Sequence, residues 1–386
     1  MYLAPYGVGL GHASRLVMVA NKLVQNAREV RFSSFGEAAS YVTMHGYQCA
    51  MVSPVEFAWS MEGGFSVKNS LANIPVWFTN LSRQVNQEIR NMCSTNPDIV
   101  VSDSRLSPIL AARILGIPSI VVLNQIKLLL SPRLREFAIS RLFENMVGEV
   151  LGSLWSLADR VLVPDLPPPN TISAHNVWGT GSAGSVLEYV GFTAPSVAAN
   201  SVETEKIAKS LGIDGSMPLV FMHVSGPMQT RMALVRVCME AIKLLQGTQF
   251  IISEGKAGGD PAPKRIGSNG WYYQWCPVRD EIFSMCDVAV LRGGHVTLSQ
   301  AILFGKPVVT VPIENHGEQL GNSIKVEEMG FGKMVHPKNL GGQMLADAIT
   351  TVLSDPSYAA KARDLRLVAQ SMDGTDNIVN IIESYV

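Results

Sequence analysis

Trp275 to Asn322 reads WCPVRDEIFSMCDVAVLRGGHVTLSQAILFGKPVVTVPIENHGEQLGN. The segment opens on Trp275-Cys276-Pro277. A helical stretch over Arg279–Met285 and an apolar strand over Val288–Leu291 lead to Arg292-Gly293-Gly294-His295-Val296-Thr297. A helix over Val296–Phe304 and a strand over Val308–Val311 follow, and the segment closes on Pro312-Ile313 and Glu318-Gln319. Two glycines therefore sit where a strand hands over to a helix. Free backbone N–H groups and the positive helix end at such a junction hold anions. Arg292 and His295 flank the glycines with further donors. Trp275 offers a flat face for a ring, and Glu318 and Gln319 offer the groups that sugar hydroxyls bind. A base, a phosphate and a sugar, met in that order, make up a nucleotide sugar.

The strand–helix alternation of this segment runs through most of the chain. Met1 to Pro5 reads as a strand, Gly7-Val8-Gly9-Leu10-Gly11-His12 as a glycine-rich turn, and Ala13 to Gln25 as a helix with Leu16, Val19, Ala20 and Leu23 at 3–4 spacing. Further strands are expected at Val30–Ser34, Cys49–Val52, Asp98–Asp103, Ser119–Leu123, Arg160–Pro164 and Glu188–Phe192. Helices are expected at Glu37–His45, Val76–Cys93, Pro108–Leu115 and over Ile126–Leu157, the last broken at Pro132. The second half repeats the pattern with strands at Leu219–Val224, Gln249–Ser253 and Trp271–Trp275 and a helix at Gln229–Leu245. Such alternation predicts α/β domains with parallel sheets and right-handed crossovers. The small, polar stretch Thr193 to Ser201 reads as an interdomain linker. The expected division is residues 1–195, residues 196–374, and a last helix in 375–386 that packs back on the first domain.

Length and composition agree with this division. A chain of 386 residues is long enough for two domains, and with 47% hydrophobic and 16% charged residues it can form large cores. A net charge of −1 argues against a nucleic-acid binder with a basic surface. Its five cysteines, odd in number and without a CxxC pair, suit a reducing cytosol. Neither a run of 18 apolar residues nor the three regions of a signal peptide is present, so a cytoplasmic location is expected.

In an open parallel sheet, ligands bind at the carboxyl ends of strands. Ser225-Gly226, Trp275-Cys276 and Arg292-Gly293-Gly294 all lie at such ends in the second half. In the first half His12 stands at a strand-to-helix turn, where a general base can be exposed, and Asp103 closes the buried strand Ile99-Val100-Val101-Ser102-Asp103. Taken singly, His12 also reads as a capping or packing residue and Asp103 as a helix-start aspartate.

The segment Trp275 to Gln319 resembles the donor-binding signature of the UDP-dependent glycosyltransferases of GT-B fold. That family includes plant and animal UDP-glycosyltransferases and, more distantly, the bacterial N-acetylglucosaminyltransferase of peptidoglycan synthesis. The family's Trp-x-Pro matches Trp275-Cys276-Pro277, and the resemblance implies that the tryptophan stacks on uracil. The family's phosphate-contacting position falls on Arg292, its glycine and Ser/Thr on Gly294 and Thr297, and its sugar-holding Asp/Glu-Gln pair on Glu318-Gln319. Phe304-Gly305-Lys306-Pro307 and Pro312 fit as well. This chain departs from the family at Val278, where a glutamine is usual, and at Gln300, where a ribose-binding glutamate is usual. The turn at Gly11-His12 is similar to the family's Gly-His motif, whose histidine deprotonates the acceptor. Asp103…Gly116-Ile117-Pro118 is similar to the segment whose aspartate orients that histidine.

The resemblance implies two Rossmann-like domains facing across a cleft, the acceptor in the first and the nucleotide sugar in the second. It implies inverting transfer of a sugar from a UDP-sugar to a hydroxyl, with no cofactor beyond that donor. No Asp-x-Asp occurs in the chain, so no metal site is expected, and the diphosphate would be met by backbone N–H groups, a helix end, Arg292 and His295. The other histidines show no metal-ligand spacing. Phe57, Trp59, Phe65 and Trp77, with the basic, leucine-rich stretch Lys127 to Arg135, read either as ordinary core and solvated arginines or as a surface for an apolar or lipid-linked acceptor and peripheral contact with the inner membrane face. Rival readings are a UDP-sugar 2-epimerase or hydrolase of the same fold, and a non-catalytic nucleotide-sugar-binding subunit of a membrane complex.

Overall fold

In the computed structural model the chain begins with a buried strand, β1 (Tyr2–Pro5), and the residues described are 1–55, 74–127, 138–177, 187–194, 201–213, 215–226, 228–256 and 258–386. By internal packing the described residues up to Ala194, together with Met372–Val386, form one unit, and those from Ser201 to Ser371 form another. Phe57, Trp59, Met61, Phe65, residues 128–135 and the Trp77 side chain lie outside the described residues, as does most of the expected linker.

The first unit continues with α1 (Gly11–Gln25), β2 (Arg31–Ser34), α2 (Gly36–Met44), β3 (Cys49–Met51), α3 (Ile74–Thr95), β4 (Val100–Asp103), α4 (Leu106–Leu115), β5 (Ser119–Val122), α5 (Ala138–Trp155), β6 (Arg160–Val163), α6 (Ala174–Val177) and β7 (Leu187–Tyr189). Its sheet has the order β3-β2-β1-β4-β5-β6-β7, and every pairing is parallel. Strands such as Val100–Asp103 and Ser119–Val122 are buried along their whole length. That explains why they read as apolar runs rather than as alternating patterns. Helix α1 buries Ala13, Leu16, Val17, Val19, Ala20 and Leu23 against this sheet.

The second unit holds α7 (Ser201–Leu211), β8 (Leu219–His223), α8 (Met228–Ala241), β9 (Gln249–Ser253), β10 (Lys264–Ile266), β11 (Gly270–Tyr273), α9 (Arg279–Met285), β12 (Val288–Leu291), α10 (His295–Phe304), β13 (Val308–Thr310), α11 (Gly317–Met329), β14 (Gly332–Met334), α12 (Gly342–Ser354) and α13 (Pro356–Ala369). The order is β10-β11-β9-β8-β12-β13-β14. Only β10 pairs antiparallel, with β11. The expected α/β class with two Rossmann-like parallel sheets is what the structure shows.

The expected helix start at Ile126 is not seen. Ile126 and Lys127 are not helical, and their backbone N–H groups both donate to the carbonyl of Asn176 at 2.9 Å. Strands β10 and β14 were not expected. The first is an edge strand of charged residues and the second a three-residue strand opened by glycine, so neither carries an apolar run. Among the described residues no helix is long and apolar enough to cross a membrane.

The last helix, α14 (Gly374–Glu383), belongs to the first unit. Ile378, Val379 and Ile382 join Leu3, Leu16, Leu23 and Phe32 in one core. Asn377 Nδ2 donates to the Val190 carbonyl at 2.8 Å, and Asp376 pairs with Lys22 of α1. Because Ile382 is fully buried, Ile382→Ala is expected to lower stability by about 2–5 kcal/mol, read as a lower urea midpoint for the first unit. A loss below about 0.5 kcal/mol would show that the helix is not part of that core.

Candidate active site

In the first sheet the chain runs outward from β1 through β2 and β3, then returns to place β4 on the other side of β1. The loops leaving β1 and β4 therefore diverge at a topological switch point, the place where open parallel sheets bind ligands. The β1 loop leads to His12, the second residue of α1. The β4 strand ends on Asp103. His12 Nδ1 lies 2.7 Å from Asp103 Oδ1, with the histidine side chain 24% exposed and the aspartate fully buried.

Several contacts fix this pair. The Tyr6 N–H donates to the Asp103 carbonyl at 2.9 Å, and the Ser104 hydroxyl donates to Asp103 Oδ1 at 3.1 Å. Tyr6 stands edge-on to both His12 and Phe35, with ring centroids 5.8 and 5.6 Å apart. The Phe35 ring comes so close to Gly7 that a Cβ there would lie 2.2 Å from it, so glycine at this position lets the loop close over the ring. Behind the loop, buried Arg105 pairs with Glu88 of α3 and donates to the Ser33 carbonyl at 2.7 Å. Glu88 also accepts from the Tyr2 hydroxyl at 2.5 Å. Sequence reasoning did not single out Arg15. Its Nε lies 2.9 Å from Asp103 Oδ2 and it is 2% exposed. Burial alone would push the Asp103 carboxyl up, but the charges of Arg15 and then His12 outweigh it and hold the group below its usual value. An ionised carboxylate can only accept. His12 must therefore donate from Nδ1, which leaves the lone pair on Nε2.

The second sheet has its own switch point between β8 and β12, since the chain leaves β8 toward β9 and later returns on the opposite side. Ser225-Gly226 follows β8 and Arg292-Gly293-Gly294 follows β12. The structure brings these loops together with the segment after β13. Gly293 has φ +81°, and a Cβ there would lie 2.5 Å from Ser323 Oγ and 2.8 Å from the Gln319 carbonyl. Asn322 Nδ2 donates to the Gly293 carbonyl at 3.0 Å, and Gly226 lies against Ile313. Gly294 is the N-cap of α10 and supplies no side-chain cap. The helix start that follows, at His295, Val296 and Thr297, is of the kind that can hold an anion. Thr297 turns its hydroxyl back to the Gly294 carbonyl at 3.0 Å, and His295 is buried.

Arg292 is placed differently from an open anion ligand. Its guanidinium donates to the carbonyls of Thr230 at 2.6 Å and Val311 at 3.4 Å, with the residue 4% exposed. Burial lowers its pKa to about 10. The side chain clamps the start of α8 to the end of β13. Gln319 accepts from the Ile313 N–H at 2.9 Å through Oε1, and half-buried Glu318 approaches Asn322 Nδ2 at 3.5 Å. Trp275 is half-buried just beyond β11, and Cys276 is buried with its thiol pushed up to about 12 by burial. Helix α9 follows them in the chain. There Asp280 accepts from Gln300 Nε2 at 2.6 Å, while Gln300 Oε1 is buried without a partner. Asp280 and Asn322 were also missed by sequence reading, because only the packing of α9 on α10 and of α11 on the β12 loop gives them their partners. Among the described residues no group of three metal-ligating side chains occurs.

His223 closes β8 beneath this site. It contacts Ser253 Oγ through Nδ1 at 3.1 Å, and burial, then Arg279, lowers its pKa to about 3. Between the ordinary histidine value of about 6.5 and that value, the unfolded chain binds a proton that the folded chain refuses. The stability involved is complete above pH about 6.5 and falls as the pH drops, by up to about 1.4 kcal/mol per pH unit. His223→Gln is expected to flatten the pH dependence of the denaturation free energy in this window. A slope identical to that of the unsubstituted protein would refute it.

The comparisons with known proteins bear on the family and the fold. The family model of the glycosyltransferase family 28 C-terminal domain matches residues 228–376, and that of glycosyl transferase family 1 matches residues 4–137. A glycosyltransferase of Methanosarcina mazei is 26% identical over 381 residues, covering 98% of this chain and 96% of the relative. The UDP-glucuronosyltransferase 2B13 of Oryctolagus cuniculus is 29% identical over 186 residues, 47% of this chain and 33% of that enzyme. Among solved structures, spinosyn rhamnosyltransferase SpnG matches with a TM-score of 0.68 at 17% identity over 99% of this chain and 100% of its own. The glycosyltransferase of kitacinnamycin matches with a TM-score of 0.67 at 19% identity over 100% and 99%. The chain belongs to the glycosyltransferases of GT-B fold.

Proposed function

We propose that the sugar transferred by this glycosyltransferase arrives as a UDP-sugar and passes to a hydroxyl acceptor with inversion at the anomeric carbon. The observation that carries this reading is the 2.7 Å contact between a part-exposed His12 and a fully buried Asp103. His12 Nε2 removes the proton of the acceptor hydroxyl. The oxygen attacks the anomeric carbon, and the bond from that carbon to the diphosphate breaks. Asp103 stabilises the imidazolium as it forms. A single direct displacement inverts the centre.

The leaving diphosphate collects negative charge, and the N-terminal end of α10 at Gly294–Thr297 supplies fixed donors for it. Arg292 acts by clamping the loops that form this end. Trp275 offers its indole to the uracil, Gln300, held by Asp280, occupies the position of the ribose contact, and Glu318 and Gln319 serve the sugar hydroxyls. Ser225 and Gly226 line the β8 loop. The name of the rabbit relative favours uridine. This chemistry needs no resident metal. The choice of an apolar aglycone or lipid-linked acceptor at a membrane face rests on Phe57, Trp59, Phe65, Trp77 and Lys127 to Arg135, and is part of the proposal.

The reading is tested in two steps. Thermal shift with UDP, UDP-glucose, UDP-N-acetylglucosamine, dTDP-glucose and GDP-mannose identifies the donor, since a ligand at 100 times its Kd stabilises by about 2.7 kcal/mol. UDP release is then followed with a panel of alcohols. His12→Ala should cut turnover by about 10²–10⁴-fold while the UDP shift is kept. A preference for guanosine nucleotides, or full turnover in His12→Ala, would overturn the reading, and acceptor-independent loss or rearrangement of the sugar would favour a hydrolase or 2-epimerase.

A further inference from the structure

Asp103 does not answer to His12 alone. Arg15 lies three residues further along α1, and its Nε sits 2.9 Å from Asp103 Oδ2, the oxygen that His12 does not contact. Residues three apart share a helix face, so a single turn of α1 presents an imidazole and a guanidinium to the two oxygens of one carboxylate. The Arg15 contact is an ion pair in distance, yet neither its Nε nor Asp103 Oδ2 reaches hydrogen-bond geometry. Its effect is exerted through charge, in a setting where Arg15 is 2% exposed and Asp103 not at all.

We propose that Arg15 is a positioning residue for sugar transfer, its buried guanidinium balancing Asp103 so that the His12 ring rests in its neutral, proton-accepting form. The proposal depends on His12 serving as the base. With Arg15 in place, one buried cation and one buried anion balance when the ring is neutral, and a proton on the ring leaves a net positive charge. Without Arg15, a neutral ring leaves Asp103 a lone buried anion, and a proton on the ring restores balance. Among the described residues the other groups around the ring do not supply that cation. Tyr6 faces it edge-on and Ser104 donates to Asp103 Oδ1, both uncharged. Arg105, beyond Ser104, is paired with Glu88. Arg15 thus selects which protonation state the site rests in, at the expense of a less stabilised imidazolium during turnover.

The test needs no acceptor. Ring ¹⁵N shifts of His12 are followed against pH in the intact chain, assigned by comparison with His12→Gln. In Arg15→Gln the pH at which the ring gains its second proton should rise by on the order of one unit, the low end of the shift expected when a neighbouring charge is lost. Arg15→Lys, which keeps the charge, should restore most of the difference. Arg15→Met, which keeps the buried stem, takes the place of the glutamine variant if that one does not fold. A folded Arg15→Gln or Arg15→Met protein whose ring titrates as in the unsubstituted chain overturns the proposal, and a loss of thermal stability alone would then mark Arg15 as structural. Full turnover in His12→Ala would defeat the base reading instead, and the ring titration does not depend on turnover, so the two failures are distinct.

Discussion

All strand pairings in the first sheet, and all but one in the second, are parallel. A parallel pair cannot be closed by a tight hairpin. Each strand must be followed by a crossover that returns the chain to the same starting edge. The loops that carry polar chemistry consequently gather at the opposite edge, and helices must cover both faces of the sheet. His12 and Asp103 are 91 residues apart in sequence and 2.7 Å apart in space because β1 and β4 are neighbours in register, Pro5 beside Asp103. The same rule brings Gly226, Gly293 and Ile313 to one edge of the second sheet.

Gathering polar groups at the end of a buried strand has a cost. A carboxylate as enclosed as Asp103 is tolerated only when paired and hydrogen-bonded. It is met by Arg15, His12 and the Ser104 hydroxyl. The neighbouring buried charge, Glu88, is met by Arg105, Tyr2 and Ser33. The two clusters are joined through the backbone at Asp103–Arg105 and through the Ser102 hydroxyl, which donates to the Arg105 carbonyl at 2.6 Å. The end of β4 that bears Asp103 is thus held from both sides. In the second unit Arg292 plays the matching part, its guanidinium donating to the backbone carbonyls of Thr230 in α8 and of Val311 just after β13.

Much of this was legible in the chain. The apolar runs and their spacing placed the strands Gln249–Ser253 and Val288–Leu291 and the helix Arg279–Met285 as the structure has them. The Gly-His turn and the aspartate at the end of Ile99–Asp103 identified the pair that the fold joins. Legibility failed where local pattern carries no information. Strands β10 and β14 are short and lack an apolar run, so only pairing with an existing edge defines them. Ile126 and Lys127 look helical by composition, but they are non-helical and lie against the Asn176 carbonyl, a contact between distant parts of the chain. Arg292 reads as a cation beside glycines, yet burial and two carbonyls give it a clamping position.

The sequence by itself determined the two α/β halves, the glycine junctions at Gly11 and Gly293, and the residue types at the strand ends. These depend on periodicity and on backbone freedom, which are properties of neighbours in the chain. Tertiary structure decided which side chains share a charge. Arg15 follows His12 by three residues and reads as an ordinary helix arginine until β4 brings Asp103 against it. Whether a cation is solvated, clamped or paired depends on what the sheet order places beside it, and sheet order is set by contacts between residues far apart in sequence.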